Sequence, residues 1–249
     1  MINMSFEERI EKLNELIAKS NNIVFFGGAG VSTASGLPDF RSEDGLYNQK
    51  DSKYDNYTLE DLLSATCLYY EPKVFYDFYR QKLDCRKVEP NATHYKLTEL
   101  EKAGKLKAII TQNIDGLHQK AGSKQVYEIH GTTKRNYCMS CGEKYDENHI
   151  FNTTGIPYCH ECGGRIRPDV VLYEESLPQK AWNRADTAIY YADLLIVAGT
   201  SLTVWPAASL VQSATCPIVL VNKDEVDLKF NAELTFTEDM CEVFEKIKV

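Results

Sequence analysis

The sequence predicts an α/β fold, a doubly wound, Rossmann-like parallel sheet with a smaller module made of helices and a zinc ribbon. Five short apolar runs rich in β-branched residues are separated by helix-length segments, and each run ends in glycine or small polar residues. Two cysteine pairs and an aromatic-rich stretch interrupt this alternation and predict the smaller module. The five predicted strands are residues 23–26, 108–110, 126–129, 194–198 and 218–221.

Composition excludes several classes of function. The chain has 249 residues and a net charge of −8 without a long basic run, so we expect no direct nucleic-acid partner. No apolar stretch reaches the roughly 18 residues that a membrane span needs, so we expect no membrane partner. Ser5 and Glu8 form a capping-box pattern in front of Ile10, Leu13 and Ile17, which predicts an amphipathic helix where a secretory leader would lie. We therefore expect a cytoplasmic protein.

The ends of the predicted strands indicate where a ligand binds. Ligands of open α/β sheets bind at the carboxyl ends of the strands, so the clusters found there are expected to converge. Gly28, Ala29 and Gly30 follow the first strand, and the glycines allow the backbone to approach a phosphate closely. This pattern is typical of a dinucleotide-binding site. Thr33 replaces the third glycine of a dehydrogenase fingerprint. The other strands end in 111–115, 130–131, 199–201 and Asn222.

The cysteine spacing indicates a metal site. Cys138 and Cys141 are followed, after seventeen residues, by Cys159 and Cys162. Two such pairs can supply four thiolates to one tetrahedral Zn²⁺. Four thiolates leave no open coordination position, so we expect one structural zinc. The aromatic residues between about 45 and 87 are expected to form a small helical core.

Several motifs together resemble one family. Residues 28–41 read GAGVSTASGLPDFR, 111–115 read TQNID and 126–131 read VYEIHG. The cysteine pairs follow, and then 167–171 (RPDVV), 199–201 (GTS) and 221–222 (VN). In this order, across residues 23–222, the blocks resemble the sirtuins, the NAD-dependent protein-lysine deacylases.

The resemblance implies a reaction and the residues that perform it. The amide oxygen of an acetylated lysine attacks C1′ of the nicotinamide ribose of the co-substrate NAD⁺, nicotinamide leaves, and the ribose 2′-hydroxyl captures the alkylamidate. The products are free lysine, nicotinamide and O-acetyl-ADP-ribose. His130 would be the general base, Asn113 would orient ribose and a water, and Asp115 would hold the nicotinamide carboxamide. Acetyl-lysine segments of proteins are the expected partners, with nicotinamide as product and inhibitor.

The resemblance also carries over a set of binding residues. Phe40 would shield the reactive C1′ face, and Arg41 would pair with phosphate. The residues expected to contact NAD⁺ are Gly28, Ala29, Gly30, Thr33, Phe40, Arg41, Gln112, Asn113, Ile114, Asp115, His130, Gly199, Thr200, Ser201, Asn222, Asp239 and Met240. Those expected around the nicotinamide ribose and phosphates are Ala29, Thr33, Phe40, Arg41, Gln112 and Ile114, and those expected at the adenosine half are Thr200, Ser201, Asn222, Asp239 and Met240.

The segment Val171, Leu172 and Tyr173 is expected to bind the substrate peptide by strand addition. Glu174 stands where the family usually has glycine. Its carboxylate either lies near the peptide and favours Lys or Arg there, or points into solvent without contacts. The family's Tyr-x-x-Arg pair for succinyl and malonyl groups is absent from 75–82, so neutral acyl groups are expected.

Two expected insertions divide the chain. The Rossmann-like NAD-binding domain would comprise 1–45, 88–131 and 167–249. The helical insertion 46–87 and the zinc-ribbon insertion 132–166 would form the small domain.

Three alternatives to a deacetylase remain. One is an NAD-dependent protein ADP-ribosyltransferase on the same scaffold, and another is a non-catalytic NAD-sensing or zinc-ribbon interaction module. A hydride-transferring dehydrogenase is disfavoured by the missing third glycine. Presence of His130, Asn113 and Asp115 together argues against the non-catalytic module.

Overall fold

A computed structural model gives the fold and describes residues 4–39, 45, 52–224, 226 and 232–249. Phe40 and Arg41 lie outside the described residues. Nine strands form within them, which are β1 (Ile23–Gly27), β2 (Leu106–Thr111), β3 (Val126–Glu128), β4 (Gly131–Cys138), β5 (Lys144–Asp146), β6 (Ile166–Val170), β7 (Leu194–Ala198), β8 (Ile218–Val221) and β9 (Leu234–Phe236).

Six of these strands form one sheet in the order β3-β2-β1-β7-β8-β9, and every neighbouring pair is parallel. The five predicted strands are all in this sheet, which confirms the predicted fold class. The order reverses between β1 and β7, and this switch point is where ligands bind in such sheets. A separate antiparallel sheet has the order β5-β4-β6.

The helices of the described residues cover the sheet and build the smaller module. Ser5 Oγ accepts from the Glu8 N–H while the Glu8 carboxylate accepts from the Ser5 N–H, so the predicted capping box starts the first helix. None of the described helices is both long and apolar enough to cross a membrane. The helices are α1 (Phe6–Lys19), α2 (Leu59–Leu62), α3 (Ala65–Tyr70), α4 (Pro72–Leu83), α5 (Ala92–Lys102), α6 (Leu117–Ala121), α7 (Glu147–Phe151), α8 (Gln179–Tyr190), α9 (Ala207–Gln212) and α10 (Met240–Glu245).

Hydrophobic cores lie on both faces of the parallel sheet because successive side chains of a strand point to opposite faces. Phe25 of β1 packs in the core shared with α1, α5 and α10, whereas its neighbour Phe26 packs in the core shared with α8 and α9. Burying one phenylalanine stabilises a fold by about 1.5–3 kcal/mol. The central strand is therefore fixed from both sides, which holds its carboxyl end in place.

A third core joins the helical insertion to the antiparallel sheet. Phe75 and Tyr79 of α4 stack on each other, and Tyr79 stacks on Phe151 of α7. The Tyr76 hydroxyl donates to the Ile166 carbonyl of β6. The aromatic stretch thus forms a core, as its spacing predicts, and this core includes Cys138 and Cys159 of the two cysteine pairs.

Candidate active site

The loops after β1 and β7 lie against each other at the carboxyl edge of the sheet. The Gly28 N–H donates to the Ala198 carbonyl (3.1 Å), and the Gly30 N–H donates to the Gly199 carbonyl (2.9 Å). Gly199 has a φ of +60°, and a Cβ on it would lie 2.5 Å from the Val31 nitrogen. Only glycine permits this approach. The structure therefore brings together three glycines predicted for the cofactor, at the point where these two loops meet.

A hydrogen-bond chain through Ser32 joins the side chains of Asn113 and Asp115. The Asn113 amide donates to Ser32 Oγ (3.0 Å), and the Ser32 hydroxyl donates to Asp115 Oδ2 (2.7 Å). The Leu117 N–H donates to Asp115 Oδ1 (2.8 Å). Burial raises the pKa of Asp115, and the two donors oppose that rise. Ser32 is thus a site residue that the sequence motifs did not single out.

His130 follows β3 and is oriented by a backbone carbonyl of the neighbouring strand end. Its Nδ1 lies 3.0 Å from the Gln112 carbonyl oxygen. A carbonyl only accepts, so Nδ1 carries the proton and Nε2 presents a lone pair. Burial lowers the pKa of His130, and the hydrogen bond to Gln112 offsets part of that effect. The neutral ring with an accepting Nε2 is the form that a general base requires.

The remaining residues predicted on the nicotinamide side surround the same edge. The Gln112 side chain donates to Thr200 Oγ1 (3.3 Å), which connects the ends of β2 and β7. Ala29 begins a 3₁₀ turn, and the Thr33 hydroxyl donates to the Gly30 carbonyl (3.0 Å). Ile114 packs against the core of the smaller module.

The residues predicted on the adenosine side lie at the ends of β7, β8 and β9. Ser201 Oγ lies 2.8 Å from Thr203 Oγ1, and the Asn222 amide donates to the Asp224 carbonyl (2.8 Å). Asp239 Oδ1 accepts from the Glu242 N–H (3.1 Å) and so caps α10. Met240 packs partly buried against the core beneath α10.

The four predicted cysteines form one cluster. All four Sγ atoms lie within 4.8 Å of one another, with Cys138 and Cys162 at 3.5 Å and Cys141 and Cys159 at 3.6 Å. A tetrahedral Zn²⁺ with bonds of about 2.3 Å places its sulfurs about 3.8 Å apart, so this cluster fits the ion. The Tyr145 hydroxyl donates to Cys159 Sγ (3.2 Å) and lowers the pKa of that thiol to about 6. This bond favours the thiolate form of Cys159.

Val171, Leu172 and Tyr173 follow β6 and use their N–H groups inside the chain. The Val171 N–H donates to the His130 carbonyl (2.9 Å), and the Tyr173 N–H donates to the Leu63 carbonyl (3.1 Å). The Leu172 N–H donates to Glu175 Oε2 (2.9 Å). Two backbone groups of this stretch, the Val171 carbonyl and the Glu174 N–H, have no hydrogen-bond partner within the described part of the chain. If a peptide binds to this segment by strand addition, these are the two backbone groups left to pair with it.

Glu174 makes a contact that neither expectation for it included. Its φ is +76°, a left-handed conformation that costs a non-glycine residue about 1–2 kcal/mol. Its Oε2 accepts from the Thr66 N–H and from the Thr66 hydroxyl, each at 2.9 Å. The alternative in which the carboxylate contacts nothing is therefore wrong. Sequence could not show this contact because the two residues are 108 positions apart.

Comparison with known proteins gives the family. The model of the Sir2 family matches residues 28–206. The NAD-dependent protein deacetylase of Clostridium perfringens is 48% identical over 243 residues, 97% of this chain and 99% of that protein. A solved structure of Sir2 with p53 peptide and NAD⁺ has a TM-score of 0.82 at 36% identity, covering 95% of this chain and 96% of that one. A structure of Sir2 with deacetylated p53 peptide and 3′-O-acetyl ADP ribose has a TM-score of 0.85, with the same identity and coverage.

Proposed function

This chain belongs to the Sir2 family, and on that premise we propose that it is an NAD-dependent protein-lysine deacetylase. It transfers the acetyl group of acetyl-lysine to ADP-ribose and releases nicotinamide and 2′-O-acetyl-ADP-ribose. The observation that carries the proposal is the arrangement of His130, Asn113 and Asp115 at one sheet edge, with Nε2 of His130 available to accept a proton. The family name and the curated relatives agree with the function that the sequence predicts.

The residues at this edge fit NAD⁺ as co-substrate. The glycine-rich loops after β1 and β7 meet at the point where the strand order reverses, which is where dinucleotides bind in open α/β sheets. Bound NAD⁺ supplies ADP-ribose as acyl acceptor and nicotinamide as leaving group. We assign Asp115 to the carboxamide of nicotinamide, since Ser32 and Leu117 fix its two oxygens. Asn113, held by Ser32, is assigned to the ribose and a water.

His130 has the general-base role in this assignment. Its Nδ1–H is engaged by the Gln112 carbonyl, so Nε2 takes the proton from a ribose hydroxyl. Proton acceptance lets that hydroxyl add to the acyl carbon. The remaining predicted NAD⁺ contacts, including Thr200, Ser201 and Asn222, are proposed for the two phosphates and the adenosine half.

We also propose how the chain divides into domains and in which cellular compartment it acts. The insertions 46–87 and 132–166 form the small domain, supported by the shared core of Tyr79 and Phe151, and the other residues form the NAD-binding domain. The cytoplasm is its proposed site of action, because four thiols that bind zinc stay reduced there.

The pH dependence of activity is expected to reflect the depressed pKa of His130. The neutral ring is the active form, so kcat/KM for an acetylated peptide is lost as pH falls through that pKa. Because burial lowers the pKa, the acid limb is expected below about 6.5, the ordinary value of histidine. A profile from about pH 5 to 9 checks this. An acid limb centred at or above the ordinary value contradicts the neutral, buried base.

Substitution Asp115→Asn is expected to weaken nicotinamide inhibition more than it weakens binding of ADP-ribose. A carboxylate accepting from the carboxamide N–H₂ forms a charge-assisted bond, about twice as strong as a neutral one. Asp193→Asn is a matched control, since that carboxylate also accepts backbone N–H groups but at the opposite edge of the sheet. Equal nicotinamide inhibition constants in wild type and Asp115→Asn would mean that Asp115 does not bind nicotinamide and that the nicotinamide pocket lies elsewhere.

The function itself is tested by nicotinamide release. The chain is incubated with NAD⁺ and a peptide in acetylated and unacetylated forms, together with propionyl, succinyl and malonyl versions. Release that requires the acetyl or propionyl group supports the proposal. Mass spectrometry of the protein and peptide separates the ADP-ribosyltransferase, which would leave ADP-ribose attached to a side chain. Nicotinamide release that is the same without any acyl-lysine rejects the deacetylase.

A further inference from the structure

Glu174 has a left-handed backbone conformation, which is unfavourable for residues other than glycine. Among the described residues only Glu174 and Leu202 combine a side chain with positive φ. Strained backbone persists where the surroundings hold it, and such positions gather at ligand-binding segments. Glu174 directly follows the segment 171–173, so whatever holds it also fixes the end of the proposed peptide-binding segment.

The side chain of Glu174 reaches the helical insertion. Both the N–H and the hydroxyl of Thr66, in α3, donate to the same carboxylate oxygen at 2.9 Å. The backbone beside this contact is also paired, because the Tyr173 N–H donates to the Leu63 carbonyl and the Ala65 N–H donates to the Tyr173 carbonyl, each at 3.1 Å. The segment is thereby attached to the small module on one side.

The other side of the segment is fixed independently of Glu174. Arg167 donates to both oxygens of Glu175 at 2.6 and 2.9 Å, and one of these oxygens also accepts the Leu172 N–H. Burial opposes ionisation of Glu175, but the hydrogen bonds from Arg167 and the Leu172 N–H, together with the charge of Arg167, hold the pKa of that carboxyl below its ordinary value. The start of the segment is thus held without Glu174, and Tyr173 is held by its own backbone bonds to Leu63 and Ala65. The position of residue 174 itself depends on the contact with Thr66.

We infer that Glu174 is a positioning residue for the peptide substrate, and that its contact with Thr66 latches the peptide-binding segment to α3. The inference rests on the proposed function. The latch orients the Val171 carbonyl and the Glu174 N–H, the two groups of the segment that have no partner in the described chain. A carboxylate committed to Thr66 does not select basic peptide residues, so it acts on all peptides alike.

Removal of the carboxylate is the first test. Glu174→Ala keeps a side chain at positive φ and loses both hydrogen bonds, so the segment populates the binding geometry less often. The apparent KM for peptide rises as the inverse of the fraction that remains in the binding geometry, by about 5- to 20-fold. The kcat stays within about two-fold, because His130, Asn113 and Asp115 lie outside the segment. Asp55→Ala, an exposed carboxylate of the same insertion, is the control and leaves both parameters unchanged.

Conservative variants separate the latch from other roles. Glu174→Gln retains an accepting oxygen and restores the peptide KM to within about two-fold of wild type. Thr66→Val removes one of the two donors and raises KM by about 2- to 5-fold, and adding it to Glu174→Ala causes no further loss. Loss in Glu174→Gln equal to that in Glu174→Ala, or a defect confined to peptides with flanking Lys or Arg, overturns the latch in favour of direct charge recognition.

Hydrogen exchange gives a readout that does not require catalysis. In the latch account, amides of residues 171–175 exchange faster in Glu174→Ala than in wild type, while β1 amides are unchanged. Unchanged exchange in that segment overturns the latch. The proposed function fails by a different result. It is overturned if wild type and Glu174→Ala show this exchange difference but wild type does not deacetylate any peptide.

Discussion

Replacing His130 with alanine is expected to lower product formation by about 10²-fold or more while the fold and NAD⁺ binding are retained. General-base catalysis typically contributes 10²–10⁴-fold, and alanine leaves no group to accept the ribose proton. That range corresponds to roughly 3–5 kcal/mol of transition-state stabilisation. The fold is expected to survive because, among the described residues, the side chain hydrogen-bonds to the Gln112 carbonyl and is not a member of the hydrophobic cores.

Turnover is measured with saturating NAD⁺ and acetylated peptide, and NAD⁺ affinity is measured separately by calorimetry. His149→Ala is the matched control, because His149 lies on α7 and bonds the Tyr158 carbonyl, away from the strand ends. The control is expected to retain most activity. Turnover in His130→Ala within a few-fold of wild type would falsify the assignment of the base.

Removal of zinc is expected to unfold the small module and abolish activity. Structural zinc contributes about 10–16 kcal/mol in small zinc-binding peptides, as much as the whole stability of an ordinary domain. β4 runs from Gly131, next to His130, to the metal-binding Cys138. The Val171 N–H also bonds the His130 carbonyl. Loss of the metal is therefore expected to displace both the base and the peptide-binding segment.

Cys159→Ala tests the same point without a chelator. Metal analysis is expected to give one Zn²⁺ per wild-type chain and a large loss in the variant, together with a lower melting temperature. Cys216→Ala is the control, since Cys216 lies partly exposed outside the cluster. A folded, fully active chain without zinc would show that the cluster has another purpose.

The sequence was sufficient for the central parallel strands, because β1, β7 and β8 are buried on both faces and read as apolar runs. Leu194–Ala198 and Ile218–Val221 have the predicted bounds. Leu234–Phe236 was not predicted, because its middle residue Thr235 is exposed and only three residues pair at the edge of the sheet. Short alternating segments give a weak signal, whereas neighbouring strands decide whether they pair.

The site was predictable where residue type follows from chemistry and not where it depends on distant contacts. Cysteine spacing predicts the metal cluster because four thiolates and one ion impose it. The roles of Ser32 and Thr66 depend on partners 83 and 108 positions away. A serine within a glycine-rich turn has no distinctive pattern, although its place between Gly30 and Thr33 in the first motif was the available signal. The roles assigned to the NAD⁺-contacting residues remain predictions.

The most direct measurement follows the acetyl group itself. A peptide carrying an isotope-labelled acetyl-lysine is incubated with the chain and NAD⁺, and all products are quantified by mass spectrometry. We expect deacetylated peptide, nicotinamide and labelled O-acetyl-ADP-ribose in equal amounts. Label recovered as free acetate from the start of the reaction, ADP-ribose attached to protein, or NAD⁺ consumed without loss of the acetyl group would contradict acyl transfer to ADP-ribose at this site.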